Sequence, residues 1–257
     1  MSLSWTWMFL VLPILAISAA ALPHERREVT ATAEPIITPV ECPHHNPEVQ
    51  DGTLVAQLWR QNCDLVTKFL NNAFTAAQAA QTSKGTLESL QYYFIQDYYY
   101  LTLTVPHKAY LLKSLDPDES AADQTSAINE TVLDMTSDLE YASHFRQDLT
   151  SPNHLNVSST VVKNAKLEPV LRQYVDWLGE NTKLGWYLFS VSRVPCIYGW
   201  AEIAYQLNQS SSTVRVELQE VLSANNNTET FAVANGLFRQ ALEFETAFFE
   251  SAVGKVL

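Results

Sequence analysis

The chain has 257 residues, of which 47% are hydrophobic, 17% are charged and 7 are glycine. That length and apolar content suit one well-buried domain and exclude global disorder, and the scarcity of glycine favours helices over turn-rich β-sandwich or α/β classes. A formal net charge of −12 leaves no cationic excess to displace counterions, which excludes a nucleic-acid partner and an anionic membrane surface.

The apolar run Met8 to Ala21 ends in Ser18-Ala19-Ala20-Ala21, small residues suited to signal peptidase. It is shorter than the ~20 residues a spanning helix needs. Residues 1–21 therefore read as a signal peptide, and the mature chain as secreted, with no membrane attachment after cleavage. Arg26-Arg27 is a candidate dibasic processing site. Residues 22–52 are rich in Pro, Thr, Glu and His and lack apolar periodicity, as an extended leader would. Cys42-Pro43-His44-His45 has no second ligand pair at metal-site spacing, so it reads as a loop with solvated histidines, and no metal is expected. In an oxidising compartment Cys42 and Cys63 could form a disulfide tying the leader to the first helix, leaving Cys196 as the free thiol. Four sequons, at Asn129, Asn156, Asn208 and Asn226, fit export and must face solvent if glycosylated.

From Thr53 the pattern becomes helical, and residues 53–257 form the expected all-α domain. Leu54, Leu58, Trp59, Cys63, Val66, Phe69 and Leu70 make one apolar stripe at spacings of three and four. Gly85 and Thr86 predict a break. A helix should follow from about Leu87 to Ser114, kinked or interrupted at Pro106. Further helices are expected over Glu119–Leu149, Leu167–Gly179, Thr182–Leu207 with a bend at Pro195, and Thr230–Val256. A polar connector should span Thr150–Ser159, and one short helix should lie within residues 208–230. No Gly-rich phosphate loop or GxSxG elbow occurs. The architecture is a helical bundle, a fold that places ligand sites between its helices.

Three segments put polar or reactive groups among apolar ones. Asp97 and Tyr100 are three apart and share a helix face; Asp97 reads either as an exposed carboxylate or as one buried with a purpose. Cys196 follows Pro195, which cannot donate a backbone hydrogen bond, so the thiol reads either as a buried small hydrophobe or as a nucleophile at a bend. Glu245 lies three and four positions from Phe248 and Phe249, where a raised pKa would suit acid–base work; Glu243 reads as solvated.

Together these segments resemble the TenA/thiaminase II family, whose fold is the heme-oxygenase-like all-α bundle. Gln96-Asp97-Tyr98-Tyr99-Tyr100-Leu101 is similar to the family's QD-x-x-YL segment, and Val194-Pro195-Cys196, with Glu202 six residues after the cysteine, to its LPC-x(5)-E segment. Phe238 to Phe249 is similar to its last helix, which carries one catalytic glutamate. Tyr174 lies about as far before Cys196 as the family's substrate-stacking tyrosine. Leu58-Trp59 and the pair Glu140 and His144 are similar in kind. The resemblance covers residues 53–257 in order. It implies hydrolysis of the C–N bond of an aminomethyl-pyrimidine, thiamine or its breakdown product, with no cofactor. Cys196 would attack the ring, Glu245 would deliver a proton to a ring nitrogen, Asp97 would bind the 4-amino edge, Tyr100 would orient the thiol or Asp97, and Tyr174 would stack on the ring. The resemblance also implies a small pyrimidine or thiamine-like ligand as partner, and homo-oligomers.

The segment from Gln206 to Thr230 is shorter than in the family and lacks its pocket-closing tyrosine. This keeps an alternative open: a secreted, non-catalytic member that binds a small aromatic ligand. A third reading places a metal or haem at Glu140 and His144, at i and i+4, although no second pair has matching spacing.

Overall fold

The structure is a computed structural model and describes residues 42, 52–80, 84–115, 118, 120–206 and 228–257. The expected signal peptide, nearly all of the leader, and Asn208, Asn226 and the short helix expected near them lie outside the described residues.

Helix α1 (Leu54–Gln61) begins where the Thr53 hydroxyl accepts from the Ala56 backbone N–H at 3.3 Å, a side-chain N-cap. It ends at Asn62, whose side-chain amide donates to the Leu58 carbonyl and to Asn235 Oδ1, both at 2.8 Å. By competing for a helical carbonyl, Asn62 divides the single expected stripe into α1 and α2 (Cys63–Leu70). Asn72 opens α3 (Ala73–Ala80) in a similar way, accepting from the backbone N–H groups of Phe74 at 2.9 Å and Thr75 at 3.0 Å.

The long α4 (Lys84–Leu111) corrects the break expected at Gly85 and Thr86 and is not interrupted at Pro106. It includes Gly85 and Thr86, and it passes through Pro106 before tightening into a 3₁₀ turn at Leu112–Ser114. A helix this long absorbs one glycine's cost of about 1 kcal/mol. Pro106 is exposed, so its ring does not disturb the packed face. Helix α5 (Ala121–Thr150) starts at Ser120, whose hydroxyl accepts from Asp123 N. The connector contains Asn156 at φ 53°, a left-handed conformation that asparagine tolerates. It leads into α6 (Ser159–Asn164), then α7 (Pro169–Asn181), which has proline in its first turn. After a 3₁₀ turn at Thr182–Leu184, α8 (Gly185–Gln206) carries Pro195 inside it. The last helix, α9 (Thr228–Ser251), stops short of Val256. Gly254 takes φ 69° there, and its N–H donates to the Ser89 hydroxyl at 3.1 Å, turning the chain back onto α4.

Among the described residues no strand occurs, and no helix is long and apolar enough to cross a membrane. Helix α4 packs on α5 and α7, and α9 packs on α8, α2 and α7. The interior is aromatic. Tyr93 of α4 stacks on Phe249 of α9 with centroids 4.8 Å apart, and Phe69 of α2 meets the same ring edge-on at 5.5 Å. Gly199 permits this closeness, because a Cβ there would lie 2.6 Å from the Phe69 ring. The inward faces of α4, α7, α8 and α9 converge on this interior.

Candidate active site

Asp97 and Tyr100 leave the buried face of α4, three residues apart. Tyr174 comes from α7, Cys196 from α8 and Glu245 from α9. Each sits where the helix pattern calls for an apolar residue. Tyr174 is fully buried and Glu245 is 1% exposed. Cys196 is half-buried. Exposed Glu243 points away from this group.

The five side chains meet. The Tyr174 ring lies parallel to Phe244, Glu245's neighbour, at 5.1 Å, and 5.3 Å from the Tyr100 ring. The Tyr174 hydroxyl and the Cys196 thiol lie close enough to the Glu245 carboxylate to favour its ionised form. The Tyr100 hydroxyl likewise favours the Cys196 thiolate. None of these approaches closes a hydrogen bond of full geometry: both Glu245 oxygens and the hydroxyls of Tyr100 and Tyr174 are buried without a partner. Buried polar atoms are seldom left this way.

Burial dominates the electrostatics. It pushes the Asp97 carboxyl up to about 7. Burial, with the Asp97 charge adding to it, pushes Glu245 up to about 8 against the pull of Tyr174 and Cys196. Burial, then the charges of Glu245 and Asp97, hold the Cys196 thiol well above its ordinary range. At neutral pH the resting site therefore holds a thiol and a protonated Glu245. A carboxylic acid, a thiol and stacked aromatic rings in a desolvated interior can bind a planar heteroaromatic ring, protonate it and attack it.

The sequence of the chain matches the TENA/THI-4/PQQC family over residues 79–220, more than half of its length. The chain belongs to this family. Its fold matches a TenA homologue from P. horikoshii OT3, at 17% identity and TM-score 0.58, over 79% of this chain and 100% of that one. It also matches a TenA homolog from Pseudomonas syringae pv. tomato str. DC3000, at 10% identity and TM-score 0.56, over 78% of this chain and 93% of that one. A TenA family transcription regulator from Silicibacter sp. TM1040 matches at 14% identity and TM-score 0.51, over 79% of this chain and 97% of that one. No curated protein matches the chain. The all-α, heme-oxygenase-like fold expected from the TenA resemblance is thus the fold of the chain. The family match spans Asp97, Tyr100, Tyr174 and Cys196, whereas Glu245 lies beyond it and joins them through the packing of α9 on α7 and α8.

The remaining candidates lie elsewhere. Cys42 and Cys63 are free thiols rather than a disulfide. They nevertheless lie side by side, and Cys42 Sγ donates to the Trp59 carbonyl at 3.6 Å. Asn129 and Asn156 are exposed, as glycosylation would require. Glu140 and His144 are also exposed, and no cluster of three or more metal-ligating side chains forms among the described residues. Sequence reasoning passed over Tyr93, Tyr141 and Arg193, whose hydroxyls or charge reach the Cys196 region. The signal for Arg193 was legible: a lone charge between Val191 and Val194 on an otherwise apolar stretch of α8.

Proposed function

We propose that the chain is a thiaminase II-like hydrolase that cleaves the C–N bond of an aminomethyl-pyrimidine, either thiamine or its breakdown product. The observation that carries this reading is the meeting of Cys196, Glu245, Asp97, Tyr100 and Tyr174, drawn from four helices into one buried cluster. The pyrimidine stacks on Tyr174 and presents its amino edge to Asp97. Glu245, protonated at neutral pH, gives its proton to a ring nitrogen as the Cys196 sulfur adds to the ring. With an aminomethyl-pyrimidine, the thiol proton passes to the freed Glu245 carboxylate and then to the departing amine; the thiazolium of thiamine needs no proton and departs as neutral thiazole. Water adds at the exocyclic carbon and gives its proton to Glu245 or solvent, and the sulfur leaves, regaining its proton from the ring nitrogen as the ring is restored. Tyr100 orients the sulfur.

Export fits this reading of a salvage enzyme moved outside the cell. It is supported by the apolar run Met8 to Ala21 and by the exposed Asn129 and Asn156. A non-catalytic role in binding a small aromatic ligand is the second reading. It is favoured by one observation: burial and two carboxylates hold the Cys196 thiol far from its reactive form.

The test is to incubate the purified full chain and its C196S variant with thiamine and with aminomethyl-aminopyrimidine, following hydroxymethyl-pyrimidine by mass spectrometry. Product from the wild type, with at least a roughly thousandfold loss in C196S, establishes the hydrolase. No product from folded wild type, with either compound binding it, establishes the binding protein.

A further inference from the structure

Arg193 stands three residues before Cys196 on α8, so the two side chains share a helix face. The guanidinium is turned inward. Its Nε is buried without a hydrogen-bond partner, and its Cζ lies 5.7 Å from the centre of the Phe189 ring. On one side it neighbours Tyr100 and Cys196. On the other it neighbours His107 and Lys108 of α4 and Asp134 and Asp138 of α5. Lys108 is 1% exposed and holds both carboxylates, Asp134 at 2.5 Å and Asp138 at 2.7 Å. With the two carboxylates committed to Lys108, none closes an ion pair with Arg193 among the described residues.

A guanidinium turned inward with an unpartnered buried Nε is either paired or put to use. We propose that Arg193 is a positioning residue that holds positive charge against the Cys196 sulfur and stabilises its thiolate during attack, with the Lys108–Asp134–Asp138 cluster anchoring the guanidinium on its far side. The proposal rests on the reading of Cys196 as nucleophile. Its physical basis is opposition. The other groups facing the sulfur are Tyr93, Asp97 and Tyr100 of α4, Tyr141 of α5, Tyr174 of α7 and Glu245 of α9. The carboxylates among them resist a second negative charge, and burial adds to that resistance. A cation one helical turn away acts through the same poorly screening interior and offsets it.

The test is the alkylation rate of Cys196 in the full chain between pH 7 and 10, followed on its own peptide by mass spectrometry. Neutral iodoacetamide and anionic iodoacetate would be compared in wild type, R193Q, R193K and D138N. R193Q should slow iodoacetamide about tenfold at a given pH, equivalent to a one-unit rise in thiol pKa. It should slow iodoacetate further, because the attracting charge is gone. R193K should recover most of both effects, and D138N should slow both reagents by loosening the hold on the guanidinium. A folded R193Q with wild-type rates and an unchanged ratio of the two reagents would overturn the proposal. If R193Q does not fold, wild-type rates in a folded D138N together with an unmoved reagent ratio would overturn it equally. Alkylation requires no substrate, so these outcomes are independent of whether the chain cleaves a pyrimidine.

Discussion

Glu202 and Glu245 are both buried glutamates facing the interior, at 0% and 1% exposure, yet they occupy opposite chemical situations. Glu202 accepts from the hydroxyl of Tyr198, four positions earlier on the same helix face. Glu245 has both oxygens buried without a completed hydrogen bond and faces groups from other helices. The same contrast divides Gln96 from Asp97. Gln96 donates to the Lys166 carbonyl and accepts from the Glu168 N–H, each at 2.9 Å. Its neighbour Asp97 is instead pushed up to about 7 by burial. Burial alone therefore does not mark a site. A buried polar group whose bonds are met locally fixes helix geometry, whereas one whose bonding capacity remains unspent among a thiol and phenols is available for chemistry.

The largest effect that tests this contrast comes from exchanging the two acids for amides. E245Q should lower pyrimidine cleavage by about 10²–10⁴-fold, the usual contribution of a positioned general acid, while leaving the chemical denaturation midpoint at or above wild type. E202Q should do the reverse: it weakens the bond with Tyr198, costs about 1–2 kcal/mol in urea unfolding, and changes cleavage far less. Equal losses of activity in both variants would erase the distinction.

The second effect is on stability against pH. The Asp97 and Glu245 carboxyls rise from ordinary values of 3.8 and 4.5 to about 7 and about 8 on folding. Between those limits the folded state binds more protons than the unfolded state, so stability falls as pH rises. Each group contributes on the order of 1.4 kcal/mol per unit of difference. The melting temperature should therefore drop by several degrees between pH 5 and pH 9. D97N and E245Q should each flatten part of that slope. A melting temperature that climbs over this range would contradict the protonated resting site.

The fold was legible in the sequence because its long helices advertise themselves by apolar spacing and by few glycines. The errors fell where one side chain outbids the pattern. Asn62 breaks the first stripe by taking the Leu58 carbonyl, and Gly254 ends α9 early by bonding Ser89. Asp97, Tyr100, Cys196 and Glu245 were legible as polar residues at apolar positions. Periodicity could not say that they meet, because they come from three different helices and only packing brings them together. The resemblance to TenA proteins supplied that link. The Lys108 cluster escaped notice for a related reason: three charges on two helices, Lys108 on α4 with Asp134 and Asp138 on α5, look solvated one by one, and their pairing appears only at 2.5 Å and 2.7 Å in the fold.

The smallest effect is also the finest probe of the unspent bonds. Y174F removes a buried hydroxyl that has no completed hydrogen bond and keeps a ring stacked on Phe244 at 5.1 Å. Deleting an unsatisfied buried donor costs little and can stabilise, so the denaturation midpoint should stay within about 0.5 kcal/mol of wild type or rise. The same hydroxyl favours the ionised form of Glu245, so its loss should raise that carboxyl further. If cleavage requires protonated Glu245, the alkaline limb of the rate profile must then move to higher pH, by less than about one unit for a single neutral donor. A limb that stays in place would separate Tyr174 from the acid and leave it only the role of a stacking wall. A dependence on ionised rather than protonated Glu245 would instead show as an acid limb that moves to higher pH in Y174F, reversing its assigned part in proton delivery.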